Sequence, residues 1–154
     1  MATTEDPADD LQAFARQLRR LNGEINRLVH GFALAQGLHP TDVQALAVIL
    51  DSEQPLTPGI LRGRLGLTSG AVTACLDRLE RAGHVRRSRA SEDRRVVHVH
   101  YAASARPAAR EHFRPLAAAA ESTRAGFSAA ELAVVARFLT ALNEELGELR
   151  TPPR

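Results

Sequence analysis

The sequence predicts a mainly α chain with a small β-wing: a winged helix-turn-helix core flanked by N- and C-terminal dimerisation helices. Three observations predict it. Two short helical patterns are separated only by Gly66, Leu67 and Thr68, and a turn that short, containing Gly, is the mark of a helix-turn-helix. Two runs with period-two alternation, "HVRRSR" and "VVHVHY", follow at once, with "ASEDRR" as the turn between them, so a hairpin is expected. Helical patterns with wide apolar stripes stand at both ends of the chain.

The elements follow in order. Residues 1–10 are small, acidic and broken by Pro7, and disorder is expected there. From Leu11 the apolar positions Phe14, Leu18, Leu21, Ile25, Leu28, Val29 and Phe32 step by three and four. This predicts a long helix over 11–36, with Gly37 as its C-terminal cap. A second helix opens at "HPTDVQAL". Either His39 or Thr41 is placed to cap it, Pro40 suits its first turn, and Thr41 with Gln44 fits a capping box. A third helix has Thr57 as N-cap, Pro58 in its first position and Gly66 as its stop. Thr68 caps the fourth, whose Val72, Leu76 and Leu79 share a core-facing stripe, and Gly83 closes it. The hairpin ends near Tyr101.

Helical pattern resumes after Ala102. Ser104 is placed to cap it, and Pro115 is expected to kink or interrupt it. The last helix starts at "GFSAAELAVV", with Ser128 and Glu131 as a capping box and Phe127 with Leu132 as a hydrophobic staple. The simplest use for the two long outer helices, over 11–36 and 103–150, is to pack on each other and on a second copy of the chain. Packing within one chain alone is the other use open to them.

Composition narrows the function. At 154 residues the chain fits one unit. Aromatic residues make up 4% and Trp is absent, so the core must be aliphatic. No apolar run approaches the ~18 residues that span a bilayer. The start "MATTEDPADD" does not read as a signal peptide, and the one cysteine, Cys75, has no internal partner. A cytoplasmic location with no membrane partner is therefore expected. All 20 basic residues are arginine, and they are segregated. Residues 57–101 carry nine Arg against four acids, whereas residues 1–56 carry four against eight. A basic middle points to a local anionic partner, most simply nucleic acid; a solvated charged face is the alternative.

The segment "LTSGAVTACLDRLERAGHVRRSRASEDRRVVHVHY" resembles the MarR family of winged-helix transcription regulators. Leu67-Thr68, Val72-Thr73, "DRLERAGHV", Arg87 and the "DRR" of Asp93 to Arg95 carry the resemblance. It covers nearly the whole chain after residue 10. It implies a homodimer that presents two winged helices to double-stranded DNA at a pseudo-palindromic operator, usually to repress. It also implies release from DNA by a small aromatic or phenolic effector bound between the two regions.

Several residues then acquire expected roles. A recognition helix enters the major groove N-terminus first, so Thr68, Ser69, Gly70 and Thr73 are expected at the DNA, although for Thr68 capping alone is sufficient. Arg62 and Arg64, on the first helix of the pair, are expected near phosphate. At the wing, Arg95 matches the family's minor-groove arginine, Asp93 is expected to brace it, and Arg94 and Arg89 are expected on phosphate. Arg78, Arg81 and Arg86 fit phosphate contact and pairing with Asp77 or Glu80 equally well. The sequence departs from the family at Ala71, Ala74 and Ala90, where longer or acidic residues are common, which shifts the expected reading toward wing and DNA shape.

His30 and His112 are candidate ligand contacts in the inter-region cavity, with a surface or core histidine as the alternative for each. His98 and His100 share a strand face, but no Cys or acid at matching spacing completes a metal set. Cys75 is expected to be buried and inert. No catalytic motif or cofactor signature is visible, so an enzyme is not expected. A winged helix used for protein interaction, or a small-ligand-binding dimer without DNA function, are the alternatives; the first would bind DNA little and respond little to salt, and the second would tolerate the loss of Arg95.

Overall fold

The computed structural model describes residues 7–89 and 95–149. Six helices and one antiparallel strand pair follow in order among them. The helices are α1 (Pro7–Gln36), α2 (Pro40–Leu50), α3 (Pro58–Leu65), α4 (Ser69–Arg81), α5 (Arg106–Arg124) and α6 (Ala129–Glu148). The strands β1 (Val85–Arg89) and β2 (Val97–Tyr101) lie between α4 and α5.

α1 begins at Pro7, four residues ahead of the expected start, so residues 7–10 are helical and the expected disorder is corrected there. A ring-fixed φ suits Pro7 to the first helical position. The rest of the expected disorder, over 1–6, lies outside the described residues. α1 ends at Gly37, whose φ of 64° is the left-handed conformation glycine adopts without a Cβ clash.

α2 is capped by His39 rather than by Thr41. The His39 backbone N–H donates to the Asp42 carboxylate at 2.9 Å, so the acid three residues on takes the place expected for Gln44. Thr57 caps α3 and Thr68 caps α4, each hydroxyl accepting an N–H three residues later, from Ile60 and Ala71. Gly66, at φ 65°, turns the chain between these helices. The Leu67 N–H closes that turn on the Arg62 carbonyl at 3.2 Å.

β1 and β2 pair from Val85↔Tyr101 to Arg89↔Val97. A contact not expected from the sequence covers the other edge of β2. The Val99 N–H donates to the Leu56 carbonyl at 2.7 Å, making Leu56 a one-residue third strand. The hairpin therefore leans on the segment that leads into α3.

Two expectations after the hairpin are corrected. Ser104 does not cap α5; it lies inside a single 3-10 turn, Ala103–Ala105, and the cap position is Ala105. Pro115 does not end the helix: α5 runs unbroken through it to Arg124. One missing N–H removes a single ladder bond, and the turns on either side keep theirs.

The core joins the C-terminal part of α1 to α2, α3, α4 and the hairpin. Phe32, Leu61, Leu76, Leu79 and Val99 are fully enclosed there. α5 and α6 contribute no buried residue beyond their termini. Leu21, Val134, Val135 and Phe138 remain exposed on the outer helices, and Phe127 between α5 and α6 is exposed as well.

Candidate nucleic-acid interface

α4 buries Val72, Cys75, Leu76 and Leu79 on one stripe. The opposite side of its first turns presents Thr68, Ser69, Gly70 and Thr73 to solvent. Each hydroxyl has a local bond and retains capacity for more. Thr68 accepts the Ala71 N–H at 3.2 Å. Thr73 donates to the Ser69 carbonyl at 3.0 Å. Ser69 accepts from the Arg62 guanidinium at 3.2 Å, which brings the last turn of α3 to the start of α4. Arg64 is exposed on the same turn of α3. The arrangement combines hydroxyls, the positive end of a helix dipole and guanidinium groups, which is the chemistry that binds phosphate and reads base edges.

Gly70 has no packing reason to be glycine. A Cβ built on it meets nothing within 4 Å, and its φ is not left-handed. Its bare backbone lets a ligand approach the helix start closely.

Two sets of ion pairs hold α4 in place. From α2, Asp42 accepts Arg78 Nε at 2.9 Å and Nη2 at 2.7 Å, a side-on fork. Asp42 is 0% exposed, whereas the Arg78 side chain is 31% exposed. Burial pushes the Asp42 carboxyl up. The Arg78 bonds, the His39 N–H and the Cys75 thiol outweigh it and hold the group below the usual carboxylate range. The Asp42 bonds raise Arg78 in turn, against the effect of its own desolvation. From β1, Arg87 donates through Nη2 to Asp77 and through its backbone N–H to Glu80, the latter at 3.1 Å. Of the arginines whose partners stood open, Arg78 thus turns inward to Asp42. Asp77 and Glu80 receive Arg87, while Arg81 and Arg86 are exposed.

Sequence reasoning missed Asp42. A signal was present: Asp42, Ala45, Leu46 and Ile49 follow helical spacing, which puts the acid on the stripe that α2 buries.

At the wing, Arg89 is exposed at the end of β1 and Arg95 is exposed just before β2. Asp93, Arg94 and Ala90 lie outside the described residues. Ser88 and His100 bond diagonally across the hairpin at 2.7 Å. The His98 and His100 rings lie 6.4 Å apart, both half-buried rather than fully exposed. Burial lowers the His100 pKa, and the nearby charges of Arg86 and His98 add to the shift. Among the described residues no group of three or more His, Cys, Asp or Glu is placed to hold a metal ion.

A cleft of about 410 Å³ opens between α1, α2, α5 and Tyr101, walled by Val29, Phe32, Leu46, Ala47 and Phe113. Neither His30 nor His112 lines it. His112 ties α5 to α1: its Nε2 bonds the Leu28 carbonyl at 3.0 Å, and its ring packs 5.2 Å from that of Phe32. His30 is exposed and bonds the Asn26 carbonyl at 2.9 Å through Nδ1. Cys75 is buried. Burial, then its bond to Asp42, pushes the thiol up to about 12, so it carries negligible thiolate near neutrality.

Known proteins resemble this chain in sequence and in fold. A family model described as MarR family matches residues 36–96. The HTH-type transcriptional regulator YcgE of Bacillus subtilis is 34% identical over 96% of this chain and 99% of its own. The transcriptional regulator AdcR of Streptococcus pneumoniae is 30% identical over 90% of this chain and 97% of its own. The crystal structure of Streptococcus pneumoniae FabT in complex with DNA superposes with a TM-score of 0.64 at 30% identity, covering 91% of this chain and 99% of that one.

Proposed function

Because the chain belongs to the MarR family and is a DNA-binding transcriptional regulator, we propose that it works as a homodimeric repressor on a pseudo-palindromic operator. The observation that carries this reading is the exposed start of α4, where Thr68, Ser69, Gly70 and Thr73 stand beside Arg62 and Arg64. In this reading α4 is the recognition helix, residues 40–101 form the DNA-binding region, and residues 11–36 and 103–150 form the dimer. The exposed apolar side chains of α1 and α6 support the second role. The wing reaches the minor groove with Arg95, braced by Asp93, while Arg94 and Arg89 meet phosphate. A small aromatic or phenolic effector enters the apolar cleft beside Tyr101 and releases the DNA. On this reading the chain has no enzymatic activity of its own and acts in the cytoplasm. No described helix is long and apolar enough to cross a membrane.

Genomic fragments selected by the purified protein test the reading. The expected fragments carry half-sites about 34–36 Å apart, one helical turn. Affinity is expected to fall with salt by a slope of about −0.9 per phosphate neutralised. Arg95→Ala is expected to weaken operator binding while the dimer stays folded. A flat salt response, or normal binding by the Arg95 variant, overturns the wing mechanism.

A further inference from the structure

We propose that Asp42 is a positioning residue for DNA recognition: by gripping Arg78 it sets the angle at which Thr68 to Thr73 meet the duplex, and so contributes to sequence preference without touching DNA. The inference rests on the reading of α4 as the recognition helix.

Stability alone is a weak reason for this pair. Replacing a buried ion pair with apolar residues of similar size is often neutral or stabilising. Geometry gives a better reason. The apolar contacts between α4 and the core are non-directional, and they leave the helix able to roll and tilt on α2. The fork removes that freedom, because two bonds, 2.7 and 2.9 Å long, join both carboxylate oxygens to two nitrogens of one guanidinium and so fix rotation as well as position. Asp42 is itself held, since Oδ2 also accepts the His39 N–H at 2.9 Å. On the other side of α4, Arg87 ties Asp77 and Glu80 to β1, so the wing moves with the helix.

Leverage makes small errors matter. At 1.5 Å of rise per residue, Ser69 stands about 13.5 Å along the axis from Arg78, so a tilt of about 5° at the grip moves it by about 1 Å. A shift of that size is enough to spoil hydrogen bonds to base edges. Contacts to phosphate by flexible arginines absorb it. A loosened grip therefore costs sequence preference ahead of general affinity.

The test measures affinities for a selected operator and for scrambled DNA of equal length, with the dimer intact. Asp42→Asn, which turns an amide N–H toward the guanidinium, is expected to lower the operator-to-scrambled ratio by about tenfold, roughly the cost of one mismatched base pair. The salt slope should not change. Arg78→Lys keeps the charge without the fork and is expected to lose part of the ratio. The double variant Asp42→Leu/Arg78→Met is expected to fold and still lose it, which covers a single variant that fails to fold. A merely structural role would reduce the active fraction and leave the ratio alone. An unchanged ratio in the folded variants, beside a reduced one in Thr73→Ala, overturns the positioning role alone. If Thr73→Ala leaves the ratio unchanged as well, α4 is not the reader and the proposal falls with that reading.

Discussion

Phe14 of α1 and Phe138 of α6 meet edge to face with ring centroids 4.8 Å apart, yet 40% and 45% of their surfaces stay open. One chain brings these rings together without enclosing them. If a second copy completes the enclosure, Phe138→Asp is expected to convert the dimer to monomer by sedimentation. Circular dichroism should retain its helical signal, because the core around Leu61 and Leu79 does not include Phe138. An unchanged sedimentation coefficient would remove α6 from the interface.

The two halves of the Asp42–Arg78 pair should differ in what their loss costs. Removing Arg78 strands a fully buried carboxylate, so Arg78→Met is expected to destabilise by about 3–5 kcal/mol near neutral pH. Asp42→Asn leaves an arginine that reaches solvent and should cost less. The pH dependence should also change sign. In the unaltered protein the lowered Asp42 pKa gives stability that is full above the ordinary carboxylate pKa and lost as pH falls through the folded value. Without Arg78 burial dominates and raises that pKa, so this contribution should improve on acidification. Urea unfolding at several pH values reads both effects.

His84 provides a second pH-sensitive group. It is 3% exposed, its ring packs 5.9 Å from that of Phe32, and burial lowers its pKa below 6.5. The unfolded chain takes up a proton that the fold resists. The stability from a neutral His84 is therefore complete above about pH 6.5 and lost as pH falls below it. His84→Leu is expected to flatten the decline between pH 7 and pH 5 in urea unfolding, with the half-buried His100 leaving a residual slope. An unchanged slope would show that His84 is protonated in the fold without penalty.

Cys75 should be silent toward oxidants. With its thiol pushed up to about 12, labelling by a thiol reagent is expected only as fast as the protein opens. Peroxide should not change operator affinity, and Cys75→Ala should respond in the same way. A peroxide-dependent loss of binding that disappears in Cys75→Ala would make this residue a sensor.

What was legible in the sequence was local. Thr57, Thr68 and Ser128 each cap an N–H three residues away, and Gly37, Gly66 and Gly83 take the left-handed turns their positions called for. The stripe of Val72, Leu76 and Leu79 followed from helical period. What was not legible depends on distant parts of the chain. Asp42 and Arg78 are 36 positions apart, and Arg78 has acids much nearer in sequence. Leu56 shows no strand pattern because a single residue has no period. Pro115 reads locally as a break, yet the helical turns on either side carry α5 through it. His112 bonds a carbonyl of α1 84 positions away, a contact that helical period does not show.

The bare backbone of Gly70 separates two kinds of selection. Nothing in the fold resists a side chain there, and alanine at an exposed helical site is worth about 0.5–1 kcal/mol over glycine. Folding would therefore accept, and even reward, almost any small replacement. On the reading of α4 as the recognition helix, the pressure to keep glycine here comes from the DNA. If α4 is the recognition helix, position 70 is then a point where one substitution would retarget the regulator between operators, with the rest of the fold indifferent to the change.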